Sequence, residues 1–224
     1  NPNQNQLNMK IFLDSVDLGD RKSFNEYGII DGITTNPTLM SSVSMGFTEI
    51  ISRLTTVVKG DISIEVVSND YASMIVEGNK ILEINDNLVI KLPLTWDGIK
   101  ACKYFAKQNI KVNMTLCFSL NQALLAAKAG AAYVSPFVGR LEDIGKDGIG
   151  LIADIRSAYN NYGIKTEILA ASIRTLKHIE QVALCGTDVI TVPAKVLSEM
   201  VSHHLTDVGL KKFNEDWAKS GKQI

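Results

Sequence analysis

Hydrophobic and polar positions follow two repeating patterns along this chain. Short apolar and β-branched runs are typical of strands buried on both faces of a parallel sheet, and longer stretches between them have apolar residues at helical spacing. The short runs predict eight strands, at residues 10–14, 32–35, 62–67, 88–91, 111–115, 132–137, 166–171 and 188–192. The longer stretches predict helices at residues 70–84, 95–108, 119–129, 142–160, 174–184, 194–203 and 205–218.

The order of these elements predicts an α/β fold. Repeated strand–helix–strand units require a parallel sheet with right-handed crossovers. Eight such units close a (β/α)8 TIM barrel more naturally than they form an open doubly wound sheet, which is the alternative. We therefore expect a single barrel domain over residues 9–224, with an extra C-terminal helix at about 205–218 that packs on the barrel or on a neighbouring subunit.

Composition narrows the class of protein. The chain has 224 residues, 46% of them hydrophobic and 21% charged, with a formal net charge of −1. This is ordinary globular composition, and the balanced charge argues against nucleic acid or an anionic membrane as a partner. No segment has the pattern of a transmembrane helix or a signal peptide.

Three further features bear on location, on the chain boundary and on one loop. The three cysteines, Cys102, Cys117 and Cys185, form no CxxC motif and predict reduced packing thiols in a cytoplasmic protein. The polar segment 1–8 is expected to be a disordered tail or a remnant of a cloning sequence, with Met9 as the natural start; a native extension is the alternative. The glycine-rich segment 143–150 matches no nucleotide-binding motif and predicts a loop.

Polar residues recur where the predicted strands end. In a barrel of this kind, chemistry takes place at the carboxyl ends of the strands and in the loops that follow. Seven strands deliver a polar group there, which a shared pocket would explain. The candidate set is Asp14, Thr34, Thr35, Asn36, Glu65, Lys91, Asn113, Thr115, Ser135, Phe137, Arg140, Ser172 and Arg174.

Each candidate alone also has a simpler interpretation. Lys91 could be a cation whose apolar stem is buried and whose tip reaches water. Asp14 could cap a helix, Asn36 could belong to a turn, and Ser172 could cap the helix that follows. Glu65 could pair with Lys91 as a buried structural ion pair.

The candidates together suggest imine chemistry. Lys91 lies in the apolar run NLVIKLPLT, so we expect burial to lower its pKa and to make a free amine available. A free amine attacks a carbonyl to form an imine. Glu65 and Thr115 could hold a water for the proton transfers, and Asp14 could take a proton from a substrate hydroxyl to start carbon–carbon cleavage.

Cations near the last strands suggest a phosphate site. Arg140 and Arg174 supply permanent positive charge, and Ser172 supplies a neutral donor. No cluster of metal ligands is visible in the sequence, so no metal is predicted.

Several of these residues lie in longer motifs that resemble one family. The motifs cover nearly the whole chain after Met9 and closely resemble those of the transaldolases, which are (β/α)8 barrels. They are FLDS (12–15), DGITTNPTL (31–39), VIKLPLT (89–95), VNMTLCFS (112–119), YVSPFVGRLED (133–143) and ILAASIRT (168–175).

The resemblance implies a role for each candidate. Lys91 would be the Schiff-base lysine, Asp14 the acid/base at the C4 hydroxyl of the ketose, and Glu65 with Thr115 the pair that holds the catalytic water. The substrate-binding residues would be Asn36, Asn113 and Ser172 for the dihydroxyacetone unit, Arg140 and Arg174 for phosphate, and Thr34 and Phe137 at the rim.

The implied reaction moves a dihydroxyacetone unit from sedoheptulose 7-phosphate to glyceraldehyde 3-phosphate, giving erythrose 4-phosphate and fructose 6-phosphate. It belongs to the non-oxidative pentose phosphate pathway and needs neither a metal nor an organic cofactor. Small members of the family often assemble into rings, so the resemblance also implies a homo-oligomer.

The main alternative is a fructose-6-phosphate aldolase, which releases free dihydroxyacetone. Those enzymes resemble this chain but carry a tyrosine where it has Phe137 and a glutamine where it has Glu65, and both differences favour a transaldolase. A different lysine-imine aldolase, acting on deoxyribose phosphate, is disfavoured by the TTNP and SIRT contexts. A non-catalytic sugar-phosphate-binding barrel is disfavoured because Lys91, Asp14 and Glu65 are all present.

Overall fold

Eight parallel strands close into a barrel in the computed structural model of the chain, which describes residues 9–17, 19, 24 and 26–223. Each strand pairs with the next in chain order, and the eighth pairs with the first. The strands are β1 (Lys10–Asp14), β2 (Gly32–Thr34), β3 (Asp61–Glu65), β4 (Val89–Pro93), β5 (Val112–Cys117), β6 (Tyr133–Pro136), β7 (Glu167–Ala170) and β8 (Val189–Val192). The predicted barrel is confirmed, and the open doubly wound sheet is excluded. The predicted tail at 1–8 lies outside the described residues.

The barrel interior is apolar in the middle of the strands and polar towards their carboxyl ends. Alternate residues of a strand face the same side, so every second side chain points inward. Two positions beyond the buried Phe12, Val89 and Val189, towards the carboxyl ends of their strands, lie Asp14, Lys91 and Thr191. The same alternation therefore places these polar side chains above an apolar layer formed by Phe12, Val89, Tyr133, Leu169 and Val189, and Ala171 packs on this layer at the level of Thr191.

Helices surround the barrel and bury its outer face. Outward residues such as Ile64, Ile90 and Val134 are fully buried in one cluster with Phe105 and Ile152 of the helices. The helices of the described residues are α1 (Pro37–Ser41), α2 (Phe47–Val57), α3 (Tyr71–Ile84), α4 (Trp96–Ala106), α5 (Leu120–Ala129), α6 (Val138–Glu142), α7 (Gly148–Tyr162), α8 (Leu176–Leu184), α9 (Ala194–Glu199) and α10 (His204–Ser220).

Side-chain caps fix where many of these helices begin. The residue before the first turn accepts a hydrogen bond from a backbone N–H inside that turn, which satisfies a donor that the helix leaves free. α5 and α7 end at glycines with left-handed backbone, a conformation that other residues rarely adopt. The capping residues are Asp70, Thr95, Ser119, Asp147 and Thr175 at the starts, and Gly130 and Gly163 at the ends.

The predicted helix at 142–160 is wrong at its start. The structure has two helices there, α6 and α7, separated by residues 143–147. Gly145 has a φ of +70°, which breaks the helix, and Asp147 caps α7. The loop predicted at 143–150 is therefore correct only to residue 147. The helix predicted at 194–203 ends at Glu199.

The C-terminal helix α10 is present and is exposed along its length. None of its residues is buried, and Leu205, Phe213 and Trp217 expose 68%, 69% and 47% of their surface. Of the two arrangements expected for it, packing on the barrel of its own chain is therefore not observed. Within the described part of the chain, no helix combines the length and the apolar character needed to cross a membrane.

Candidate active site

Lys91 lies near the carboxyl end of β4 and is buried, with 6% of its side chain exposed. Strand register places it between Glu65 on β3 and Asn113 on β5. Its Nζ is 2.9 Å from Oε2 of Glu65 and donates a hydrogen bond of 2.8 Å to the carbonyl oxygen of Thr35. The ion pair considered for Glu65 is thus present, and it compensates a charge that would be costly to bury alone. An ammonium must lose a proton before it can attack a carbonyl, and Glu65 is the base in contact with it.

Asp14 is held by a chain of two threonine hydroxyls. Thr34 Oγ1 donates to Asp14 Oδ1 at 2.8 Å, and the same Oγ1 is 2.5 Å from Oγ1 of Thr191. Because Thr34 has a single hydroxyl proton, Thr191 must be the donor in the second bond. The chain from Thr191 through Thr34 to Asp14 therefore fixes the orientation of the carboxylate.

The environment of Asp14 increases its affinity for a proton. Burial raises the pKa of Asp14 above its ordinary value, and this effect outweighs the opposing effects of the Lys91 charge and the hydrogen bond from Thr34. A carboxylate with a raised pKa is a stronger base than an exposed aspartate, which suits a group that must take up and return a proton.

Two polar residues of β5 face the same interior. Asn113 is fully buried, where its Nδ2 donates to Ser63 Oγ at 3.2 Å and its Oδ1 accepts from Ser135 Oγ at 2.7 Å. Thr115 Oγ1 is buried without a hydrogen-bond partner among the described residues. A buried hydroxyl needs a partner, and a water or a substrate oxygen would supply one.

The backbone is strained at two places where strands end. Leu116, directly after Thr115, has a φ of +57°, and the pairing of β5 with β6 shifts register between Met114 and Cys117. Ser172, after β7, has a φ of +56°. Left-handed backbone is unfavourable for both residue types and clusters at functional sites, where it redirects a strand end.

The two predicted phosphate arginines lie beyond the ends of β6 and β7. Arg174 donates from Nη1 and Nη2 to the two carboxylate oxygens of Asp143, at 2.5 and 2.7 Å. The guanidinium of Arg140 is 5.8 Å from the ring centre of Phe137. The hydrogen bonds from Arg174, together with the charges of Arg174 and Arg140, hold the pKa of Asp143 below its ordinary value. Both cations therefore lie near one carboxylate.

Ser172 and Asn36 have structural roles in addition to the predicted ones. The carbonyl oxygen of Ser172 accepts a hydrogen bond from Gly139 N–H at 3.0 Å, which joins the loop after β7 to α6. The Oδ1 of Asn36 accepts from Leu39 N–H at 2.9 Å and caps α1, so Asn36 begins a helix rather than belonging only to a turn. Its amide nitrogen is the group that could serve a substrate hydroxyl.

Cys117 ends β5, two residues after Thr115. Burial raises the pKa of its thiol to about 12, which makes the thiol unreactive at neutral pH. Within the residues that the structure describes, no group of three His, Cys, Asp or Glu side chains is placed to hold a metal ion.

The sequence-based candidates omitted several residues that shape the site. Thr191 lies within an apolar run, and only its inward strand position marks it as a candidate. Thr35 is among the strand-end candidates, but its contribution is a backbone carbonyl, which no residue type can signal. The other omitted residues are Ser63, Asp143 and His178, which contact predicted residues from neighbouring elements, and Glu142, which contacts His178.

Comparisons with known proteins give matches over nearly the whole chain. A family model described as transaldolase/fructose-6-phosphate aldolase matches residues 11–224. Proteins named "probable transaldolase" from Roseobacter denitrificans and Brucella ovis are 51% and 50% identical to this chain over 216 residues, which cover 96% of this chain and the whole of each relative.

A solved structure shares the fold at much lower identity. Thiamine phosphate pyrophosphorylase from Pyrococcus furiosus superposes with a TM-score of 0.61 and is 17% identical, covering 86% of this chain and 93% of its own. That likeness shows the barrel alone.

Proposed function

This chain belongs to the transaldolase/fructose-6-phosphate aldolase family, and on that premise we propose that it is a transaldolase acting through an imine on Lys91. It transfers a dihydroxyacetone unit from sedoheptulose 7-phosphate to glyceraldehyde 3-phosphate, giving erythrose 4-phosphate and fructose 6-phosphate. The observation that carries the proposal is the buried Lys91 ammonium in contact with Glu65, close enough to Asp14 for its charge to affect the pKa of that carboxyl.

The first step is imine formation. Glu65 takes a proton from Lys91, and the free amine attacks the C2 carbonyl of the ketose. The resulting carbinolamine loses its oxygen as water, and this loss needs a proton donor. We assign that transfer to protonated Glu65 and the buried hydroxyl of Thr115, acting through a bound water.

The second step breaks the bond between C3 and C4. Asp14 accepts the proton of the C4 hydroxyl as the C4 carbonyl forms, and the electron pair of the broken bond moves into the imine to give an enamine. The first aldehyde leaves, the acceptor aldehyde takes its place, and Asp14 returns the proton as the new bond forms. The hydrogen bonds from Thr191 through Thr34 keep the Asp14 carboxylate oriented during both bond cleavage and bond formation.

We assign substrate binding to the remaining polar groups of the site. Asn113, fixed by Ser63 and Ser135, and Asn36 are proposed to bind hydroxyls of the dihydroxyacetone unit. Arg140 and Arg174, with Ser172, are proposed to bind the phosphate. These substrates place the reaction in the non-oxidative pentose phosphate pathway.

A cytoplasmic location fits this proposal. Cys102, Cys117 and Cys185 are all free, and free thiols persist in a reducing compartment.

The family also contains aldolases, and the site favours a transferase over them. An aldolase must protonate the enamine and release dihydroxyacetone. Phe137 packs edge-on against Phe118 with ring centres 5.6 Å apart and has no hydroxyl to supply that proton. The enamine is therefore expected to persist until an acceptor aldehyde arrives.

An assay without acceptor aldehyde tests this distinction. With fructose 6-phosphate alone, the enzyme should release dihydroxyacetone slowly, whereas adding erythrose 4-phosphate should start rapid transfer. Phe137→Tyr should raise the release of dihydroxyacetone by roughly tenfold, as expected for a positioned proton donor. Phe118→Tyr adds the same hydroxyl to the neighbouring ring and is the matched control, expected to change release little. Fast release by the unaltered enzyme would identify an aldolase instead.

We also propose that the protein is a homo-oligomer in which α10 contacts a neighbouring subunit. The helix exposes Leu205, Phe213 and Trp217 together, and large apolar side chains grouped on one helix usually mark an interface. Light scattering should give a mass that is a multiple of the 24.5 kDa chain, and removal of residues 204–224 should lower it. A monomeric mass for the full chain would contradict the proposal.

A further inference from the structure

Two pairs of side chains join the end of α6 to the start of α8. In one pair, Nε2 of His178 lies 2.8 Å from Oε2 of Glu142. In the other, the guanidinium of Arg174 is bound by both oxygens of Asp143. Glu142 and Asp143 are adjacent in the chain, so both acids contact the segment 174–178 from the same side. None of Glu142, Asp143 and His178 belongs to the proposed chemistry.

His178 acts on the backbone of Arg174. Its ring is buried, and Nδ1 accepts a hydrogen bond of 3.2 Å from the Arg174 N–H. A ring nitrogen that accepts carries no proton, so the proton of the imidazole is on Nε2 and is donated to Glu142. The Glu142 carboxylate therefore selects the tautomer that allows His178 to hold the main chain of Arg174.

Asp143 acts on the side chain of the same residue. Its two oxygens fix the plane of the guanidinium, but they use only two of the five N–H groups of arginine. Among the described residues the other three donors have no hydrogen-bond partner, and they remain for another ligand. The Arg174 side chain also lies directly over Gly139, where a Cβ would be 2.7 Å from Nε and 2.6 Å from the Ser172 carbonyl oxygen. Arg174 thus packs against the backbone of α6 and against Asp143 at its end.

We propose that Glu142, Asp143 and His178 are positioning residues that set Arg174 in the orientation in which it binds the phosphate of a sugar phosphate. The inference rests on the proposed function, and it adds residues that act on phosphate affinity without contacting the reacting atoms. A long arginine side chain loses conformational freedom when it binds a ligand, and a prior contact that already restricts it lowers this cost.

If Asp143 instead competed with the phosphate for the Arg174 guanidinium, it would weaken phosphate binding. If Asp143 only occupied the guanidinium, its removal would free Arg174 and would lower the KM for a phosphorylated substrate. Because three donors stay available and Arg140 supplies further charge nearby, positioning is expected to dominate. Asp143→Ala and His178→Ala should each raise the KM for fructose 6-phosphate by roughly tenfold, with a much smaller change in kcat.

The experiment measures KM and kcat for fructose 6-phosphate with erythrose 4-phosphate as acceptor. It also measures borohydride trapping of unphosphorylated dihydroxyacetone on the enzyme, which needs the lysine chemistry but no phosphate site. Both alanine variants should trap dihydroxyacetone as well as the unaltered enzyme does. Glu142→Gln keeps an oxygen acceptor for His178 Nε2 and should raise KM less than Glu142→Ala.

Two controls separate positioning from general damage. Glu49 pairs with Arg53 on α2 and is about as exposed as Asp143, so Glu49→Ala is the matched loss of a surface arginine partner and should leave KM unchanged. In an Arg174→Ala background, Asp143→Ala and His178→Ala should have no further effect on KM, because their target is gone.

Each contrary result has a distinct meaning. An unchanged or lower KM in both alanine variants, or a rise in KM that persists without Arg174, would overturn the positioning role. An unaltered enzyme that neither traps dihydroxyacetone nor cleaves fructose 6-phosphate would overturn the proposed function, and this inference with it.

Discussion

Lys91→Met should abolish transfer of the dihydroxyacetone unit, with a loss of roughly 10⁴-fold or more in kcat, the order seen when a covalent nucleophile is removed. Methionine is close to lysine in shape but has no amine, so no imine can form. The assay couples the formation of fructose 6-phosphate from sedoheptulose 7-phosphate to a spectroscopic signal. Binding of a sugar phosphate should persist, because Arg140 and Arg174 are unchanged.

The variant needs a stability control. Removing the ammonium leaves the half-buried Glu65 carboxylate without its partner, and breaking a buried pair by one substitution costs at most about 3–5 kcal/mol. The double variant Lys91→Met, Glu65→Gln removes both charges and should recover most of that loss. It should remain inactive. Turnover comparable to the unaltered enzyme in either variant would rule out Lys91 as the nucleophile.

Asp14→Asn should lower kcat by about 10²–10⁴-fold, the usual contribution of a general acid or base. Asparagine keeps an oxygen that can accept the hydrogen bond from Thr34 but cannot take up the C4 hydroxyl proton. Borohydride trapping of dihydroxyacetone on Lys91 should survive, because imine formation uses Glu65 and Thr115. Loss of trapping together with cleavage would show that Asp14 acts at an earlier step than proposed.

The same variant should be more stable than the unaltered protein near neutral pH. Burial raises the pKa of Asp14 in the folded state above its ordinary value of 3.8, so the folded state binds this proton more tightly than the unfolded state does. The ionised carboxylate therefore reduces stability above the folded-state pKa, and that cost disappears as the pH falls below about 3.8. The Tm difference between Asp14→Asn and the unaltered protein should be positive at neutral pH and should shrink in acid. A constant difference across that range would contradict the account.

The fold could be predicted because its signals are local. Strand alternation and helical spacing repeat in each unit, and caps such as Asp70 and Thr95 mark the helix starts in the sequence. The prediction failed at 142–160, where apolar spacing continues through a glycine whose backbone turns left-handed. Spacing reports which face of a helix would be buried, but it does not show whether the helix is continuous.

The candidate site could be predicted in part. Inward strand positions gave Asp14, Lys91 and Glu65, because each lies where a parallel strand ends. Contacts between segments that are distant in the sequence could not be predicted, because they depend on how closely two loops approach each other. The paired hydrogen bonds from Arg174 to Asp143 are an example. The left-handed Leu116 could not be predicted either, because leucine rarely adopts that conformation and no local motif requires it.

The central claim is that Lys91 carries the dihydroxyacetone unit as an imine. It is tested most directly by reducing the enzyme with borohydride in the presence of fructose 6-phosphate and mapping the modified peptide by mass spectrometry. The account predicts one three-carbon adduct, on Lys91, that is absent without substrate and absent in Lys91→Met. An adduct on another lysine, or no adduct in an enzyme that turns over, would contradict it.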